Sequence, residues 1–138
     1  MRDDLPILVS ACLLGEPCRW DGTDRRDERV LRSLAGRTVV PVCPEAAAGL
    51  GIPRPACDIA GGDGAAVLAG RARVVASSGD DLTSAFLRGA DLAAEAATRF
   101  GARQALLKGG SPSCGRGGVT TARLAALGLA VLHEDDLK

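Results

Sequence analysis

The residues of this chain best suited to chemistry are five cysteines and one histidine: Cys12, Cys18, Cys43, Cys57, Cys114 and His133. A thiolate is a nucleophile and a soft metal ligand, and a thiol with neither task is a small buried filler. Five is an odd number, and no secretory segment is read at the N-terminus, so a disulfide framework is not the expectation. No two cysteines stand in C-x-x-C spacing, and the single histidine falls in the C-terminal segment. The local patterns of zinc fingers and thioredoxin-like redox sites are therefore missing. Any site these thiols build must be assembled from distant parts of the chain.

The elements that would position them follow from local pattern. Pro6-Ile7-Leu8-Val9-Ser10 predicts a strand, followed by a loop bearing Gly15, Pro17 and Gly22. Asp27 is placed to cap a short helix in which Val30, Leu31 and Leu34 share a face, with Gly36 as its stop. Thr38-Val39-Val40-Pro41-Val42 predicts a second strand, and its proline points to a strand end or an edge. A short helix over 44–50 is expected next, since proline suits the first helical position and Gly49 and Gly51 end it. Residues 51–64, dense in glycine and proline, predict a loop. Ala66-Val67-Leu68 and Arg73-Val74-Val75, either side of Gly70, predict a hairpin. Leu82, Phe86, Ala90, Ala93, Ala97 and Phe100 recur three and four apart and predict the longest helix, opened by Asp80 or Asp81 and closed by Gly101. Ala105-Leu106-Leu107 predicts a strand, 109–118 a glycine-rich loop, 119–127 a helix stopped by Gly128, and Leu129-Ala130-Val131-Leu132 the last strand.

Strands alternating with helices predict an α/β fold: a single compact Rossmann-like domain over 1–138 with a mainly parallel sheet. Such sheets bind ligands outside the carboxyl ends of their strands. Cys12 lies three residues after Val9, Cys43 follows Val42, and Cys114 lies in the loop after Leu107. If those three strands are neighbours, three thiols from carboxyl-end loops meet on one rim.

Composition narrows the function further. Lys plus Arg and Asp plus Glu each number 17, so no net field recruits nucleic acid or anionic lipid. Trp20, Phe86 and Phe100 are the only aromatics, too few for the stacking platforms of single-strand binders. Intact nucleic acid is not an expected partner, and neither is a membrane. The N-terminal apolar run, Leu5 to Val9, is too short for a signal-peptide core, and a cytoplasmic location is expected. Oligomeric state leaves no mark in the sequence.

Several blocks together carry a resemblance. Val9-Ser10-Ala11-Cys12-Leu13-Leu14-Gly15 with Cys18-Arg19-Trp20-Asp21-Gly22, then Pro41-Val42-Cys43-Pro44-Glu45, then Lys108-Gly109-Gly110-Ser111-Pro112-Ser113-Cys114-Gly115 are similar to the signature blocks of the thiouracil desulfurase family, in that family's order. Pro53-Arg54-Pro55 with Asp58, and Asp81-Leu82-Thr83 with Gly89-Ala90, extend the resemblance over most of the chain. Trp20 stands where a tyrosine is usual, Asp58 where glutamate is usual, Cys57 is an added thiol, and the stretch between Cys114 and Val119 is short.

The resemblance implies an enzyme that removes sulfur from a thiolated nucleobase or nucleoside, using a 4Fe-4S cluster held by Cys12, Cys43 and Cys114 with one iron left open. It makes Glu45 the candidate general base and Ser111 the hydroxyl that orients substrate or relays a proton; without it, Glu45 reads as a carboxylate favoured by a helix start and Ser111 as a turn hydroxyl. Ser10, Ser113 and Lys108 are the expected substrate contacts, Lys108 also balancing the anionic cluster. Asp21 and Arg54 read equally as a loop ion pair or as substrate contacts. Cys18 and Cys57 read as structural, and His133 as a strand-end side chain with one satisfied nitrogen. Two other function classes compete: a cluster-free enzyme passing through a cysteine persulfide, and a non-catalytic module holding a structural metal.

Overall fold

Strands buried on both faces read as unbroken apolar runs, and two such runs form the middle of the main sheet. The structure, a computed structural model, describes residues 5–137. The charged start at residues 1–4 lies outside the described residues. β1 (Ile7–Ser10) and β5 (Gln104–Leu107) are buried at every position, and the sheet runs β2 (Val39–Val42), β1, β5, β6 (Ala130–His133), all parallel. The expected parallel α/β sheet is therefore present. Pro41 sits opposite Val9 on the edge strand β2, where its missing N–H costs no ladder bond on the open side.

The period of two sends Leu8, Ala105 and Leu107 to one face and Ile7, Val9 and Leu106 to the other. The first face packs on α4 (Thr83–Phe100) and α5 (Val119–Ala126), and the second on α1 (Glu28–Ser33), whose N-cap Asp27 accepts a hydrogen bond from the Arg29 amide. The face of α4 turned to the sheet is alanine: Ala93, Ala94 and Ala97 bring the helix axis close. Gly89 lets α4 approach α2 (Pro44–Ala47), since a Cβ there would lie 2.5 Å from the Pro44 carbonyl oxygen. No helix among the described residues is long and apolar enough to cross a membrane.

The middle of the chain differs from its expected form. Residues 57–60 form β3 (Cys57–Ala60), although the stretch 51–64 predicts a loop. Ala66-Val67-Leu68 lies not in a strand but in α3 (Gly64–Leu68), capped by Asp63, whose Oδ1 accepts from the Ala66 amide at 3.0 Å. The partner of β4 (Arg73–Ala76) is β3, antiparallel, in a second two-stranded sheet. Four residues set among Gly and Pro carry little strand preference of their own; pairing with β4 and the packing of Ile59 beside Val74 and Phe86 supply the order. The long helix begins at Thr83 rather than at the aspartates, and Asp81 remains outside it, accepting from the Thr83 amide at 2.9 Å.

Candidate active site

Because β2, β1 and β5 are adjacent and parallel, their carboxyl ends open on one rim. Ser10 is level with Val42 in the ladder, so the turn Ala11–Leu14 after β1 and the start of α2 after β2 leave the sheet side by side. The loop after β5 closes the third side. It folds tightly on itself: the Ser111 hydroxyl accepts from the amides of Ser113 and Cys114 at 3.0 and 3.2 Å, and a Cβ on Gly115 would lie 2.5 Å from the Ser111 carbonyl oxygen. The three loops and the strand β3 enclose a cavity of about 310 Å³.

Cys12, Cys43 and Cys114 all line this cavity, and so do Glu45 and Ser111. Cys114 is further anchored through its carbonyl, which accepts from Thr121 Oγ1 and from His133 Nε2, both at 2.8 Å. A carbonyl can only accept, so Nε2 carries the histidine proton and Nδ1 is left buried without a partner among the described residues. His133 thus has one satisfied nitrogen. The other nitrogen, the one with a lone pair, is buried and reaches no thiol among the described residues, so His133 is not the partner that the persulfide reading requires.

Of the side chains read as substrate contacts, Lys108 and Ser10 reach the cavity wall and Ser113 does not. Ser113 is 1% exposed and its hydroxyl pairs with that of Thr120 at 2.8 Å, so it braces the loop against α5 and has no face toward a ligand. Ser10 Oγ accepts from the Lys108 amide at 2.9 Å, so its hydroxyl ties the end of β1 to the loop after β5. The Lys108 ammonium donates to the Gly109 carbonyl at 2.7 Å and to Glu134 at 3.1 Å. Its charge is shared with a carboxylate just after β6.

Other residues in the cavity wall or behind it were given no catalytic role by the sequence reading. Arg54 is buried, with its side chain 4% exposed, and pairs with Glu45: Nη2 donates to Glu45 Oε2 at 3.2 Å and to the Cys18 carbonyl at 2.9 Å, and Nη1 to the Gly51 carbonyl at 3.1 Å. Asp21, its supposed alternative partner, instead accepts from Thr23. Asp58 and Cys57, at the start of β3, line the cavity, as do Cys18, Arg19 and Trp20. Cys18 is not remote from the proposed ligands: its carbonyl accepts from the Cys43 thiol at 3.6 Å. The signal for Arg54 and Asp58 lay in the Pro-Arg-Pro block; nothing local marked Arg54 as the partner of Glu45.

Electrostatics separates the thiols. Burial pushes Cys12 up to about 11 and Cys114 up to about 12, the Ser10 hydroxyl easing the latter. Cys43 is lowered, first by the hydrogen bond from Cys18, then by the Ala46 amide and the charge of Arg54, while Cys18 is raised in turn. Cys12 and Cys114 therefore stay protonated until a cation compensates them, and a bound metal does so outright.

The donor set suits an iron–sulfur cluster. All five thiols line the one cavity, a set rich in soft sulfur donors of the kind that holds such clusters, and Cys12, Cys43 and Cys114 come to it from the three carboxyl-end loops. Among the described residues, no three His, Cys, Asp or Glu side chains gather tightly enough to share a single metal ion.

A family model described as 2-thiouracil desulfurase matches residues 7–135. The chain is 36% identical over 146 residues to a Bacillus subtilis (strain 168) protein described as uncharacterized protein YbbK, with 95% of this chain and 97% of the relative covered. Among solved structures it is similar to a [4Fe-4S]-dependent thiouracil desulfidase, TudS, with a TM-score of 0.84 and 39% identity over 97% of this chain and 93% of that one.

Proposed function

The chain belongs to the 2-thiouracil desulfurase family, and from that premise we propose that it exchanges the sulfur of a thiolated nucleobase, such as 2-thiouracil, for oxygen from water. Thiocarbonyl and water give the oxo base and hydrosulfide, with no change of oxidation state. The observation that supports this most is the meeting of three thiols, a carboxylate and a hydroxyl in one cavity at adjacent strand ends. Cys12, Cys43 and Cys114 would hold a 4Fe-4S cluster with one iron free of protein ligands. When bound, that cluster supplies Lewis acidity toward a soft sulfur atom, which leaves the thiocarbonyl carbon open to water.

The chain's own residues do the rest. Glu45 Oε2 is held by Arg54, while Oε1 has no protein partner among the described residues and is free to take a proton from water. Arg54 is a positioning residue, since it fixes where that carboxylate lies. Ser111 accepts from two backbone amides, so its lone pairs are engaged and its O–H is left to donate to a ring nitrogen or carbonyl oxygen. Lys108 is close enough to favour the ionised form of Cys12, one positive charge beside an anionic site.

The test is anaerobic purification with iron and sulfide reconstitution, then incubation with 2-thiouracil. Brown protein that releases one sulfide per uracil formed is expected. Colourless, zinc-loaded protein releasing no sulfide would make this a structural metal module, and colourless, metal-free protein that accumulates a persulfide would make it the cluster-free enzyme.

A further inference from the structure

The chain holds one tryptophan, no tyrosine and two phenylalanines. Phe86 is sealed in the packing of α4 against α3 and β4, and Phe100 ends α4 under the Arg99 guanidinium. Only Trp20 lines the cavity. Its side chain is left wet, the residue being 43% exposed, although burying an indole is among the largest apolar gains a fold of this size can make. The backbone on either side of it is nevertheless pinned. The Trp20 carbonyl accepts from the Arg54 amide at 2.7 Å, the Arg19 amide donates to the Thr23 carbonyl at 3.2 Å, and the Gly22 amide donates to the Arg19 carbonyl at 2.9 Å. A loop held this firmly presents an unsatisfied aromatic surface at the mouth of a site whose substrate class is flat and heteroaromatic.

We infer that Trp20 is the stacking face for the pyrimidine ring, and that it sets affinity for the ring while the thiols and Glu45 act on its sulfur-bearing carbon. The inference rests on the desulfurase reading above. Stacking requires only a π-face, so the oxo product should use the same surface as the thiolated substrate. That makes binding measurable without turnover.

The experiment uses cluster-loaded wild type, Trp20→Ala and Trp20→Phe, comparing kcat and KM for 2-thiouracil with equilibrium dialysis of labelled uracil. Trp20→Ala should raise KM about 10-fold and weaken uracil binding by a similar factor, the usual scale for one base on one aromatic ring, with kcat, iron content and Tm kept. Trp20→Phe should recover most of the affinity. Unchanged KM and uracil affinity in Trp20→Ala would overturn the inference, as would a loss that phenylalanine does not restore or one that tracks lost iron. A wild type that binds uracil more tightly than Trp20→Ala yet releases no sulfide would keep the stacking face and refute the desulfurase reading instead.

Discussion

Replacing Glu45 with glutamine separates the catalytic role of this carboxylate from its structural one, and the structure sets the size of both effects. If Oε1 takes the proton from water, the amide cannot, and loss of a general base costs about 10²–10⁴ in rate, or about 2.7–5.5 kcal/mol in barrier height. The structural cost is larger than for a carboxylate at a helix start. Glu45 is the carboxylate partner of an arginine whose side chain is 4% exposed and whose Nε is already buried without an acceptor among the described residues. Glutamine keeps an oxygen for Nη2 but removes the charge, leaving the guanidinium to the carbonyls of Gly51 and Cys18. The expected loss is about 1–3 kcal/mol, or roughly 3–10 °C in Tm for a chain of this length. The variant therefore needs a partner of matched stability that does not touch the site. Val67→Ala, in the packing of α3 against β4, serves. Sulfide release from 2-thiouracil, iron per chain and visible absorbance are measured on all three proteins. Glu45→Gln should keep its iron and lose at least 99% of its rate, while Val67→Ala, equally destabilised, stays active. Wild-type turnover by Glu45→Gln would refute the reasoning and leave Glu45 as the tie for Arg54; Asp58, on the same cavity wall, would then be the base to test.

Three further outcomes are expected. Cys18→Ser and Cys57→Ser should each retain wild-type iron after anaerobic reconstitution, and loss of iron in Cys18→Ser, whose carbonyl accepts from the Cys43 thiol, would show that the ligand set has been misassigned. Gly89→Ala should cost about 1–3 kcal/mol and lower activity as well, because the added methyl must push the Pro44 carbonyl, and with it Cys43 and Glu45, away from α4; thermal melts and sulfide release read the two effects. Asp136, held below its ordinary value of 3.8 by the His133 amide and by Arg116, stabilises the fold fully above the unfolded value, and that contribution disappears as pH falls through the lower folded value. Asp136→Asn should therefore melt below wild type at pH 7, and the gap should close in strong acid; a gap constant with pH would contradict this.

What the sequence determined by itself is what neighbours along the chain can decide. The apolar runs of β1 and β5, the proline that opens α2, the period of α4 and the glycine that ends it are all local chemistry, and they suffice to put Cys12, Cys43 and Cys114 just after strands. Only the tertiary structure decided the rest, because it depends on which distant atoms meet. The hydroxyls of Ser111 and Ser113 are two residues apart and alike in sequence, yet one lines the cavity and the other faces Thr120, a choice made by how the loop docks on α5. Arg54 was legible as a cation in a loop, but its partner was not, since a guanidinium finds its carboxylate through space and Glu45 meets it from α2, a short helix packed against α4. β3 had too little local preference to announce itself and exists because β4 supplies its hydrogen bonds. Burial, the quantity that separates Cys12 and Cys114 from an ordinary thiol and leaves Trp20 exposed, is a property of the packed chain and of no residue in it.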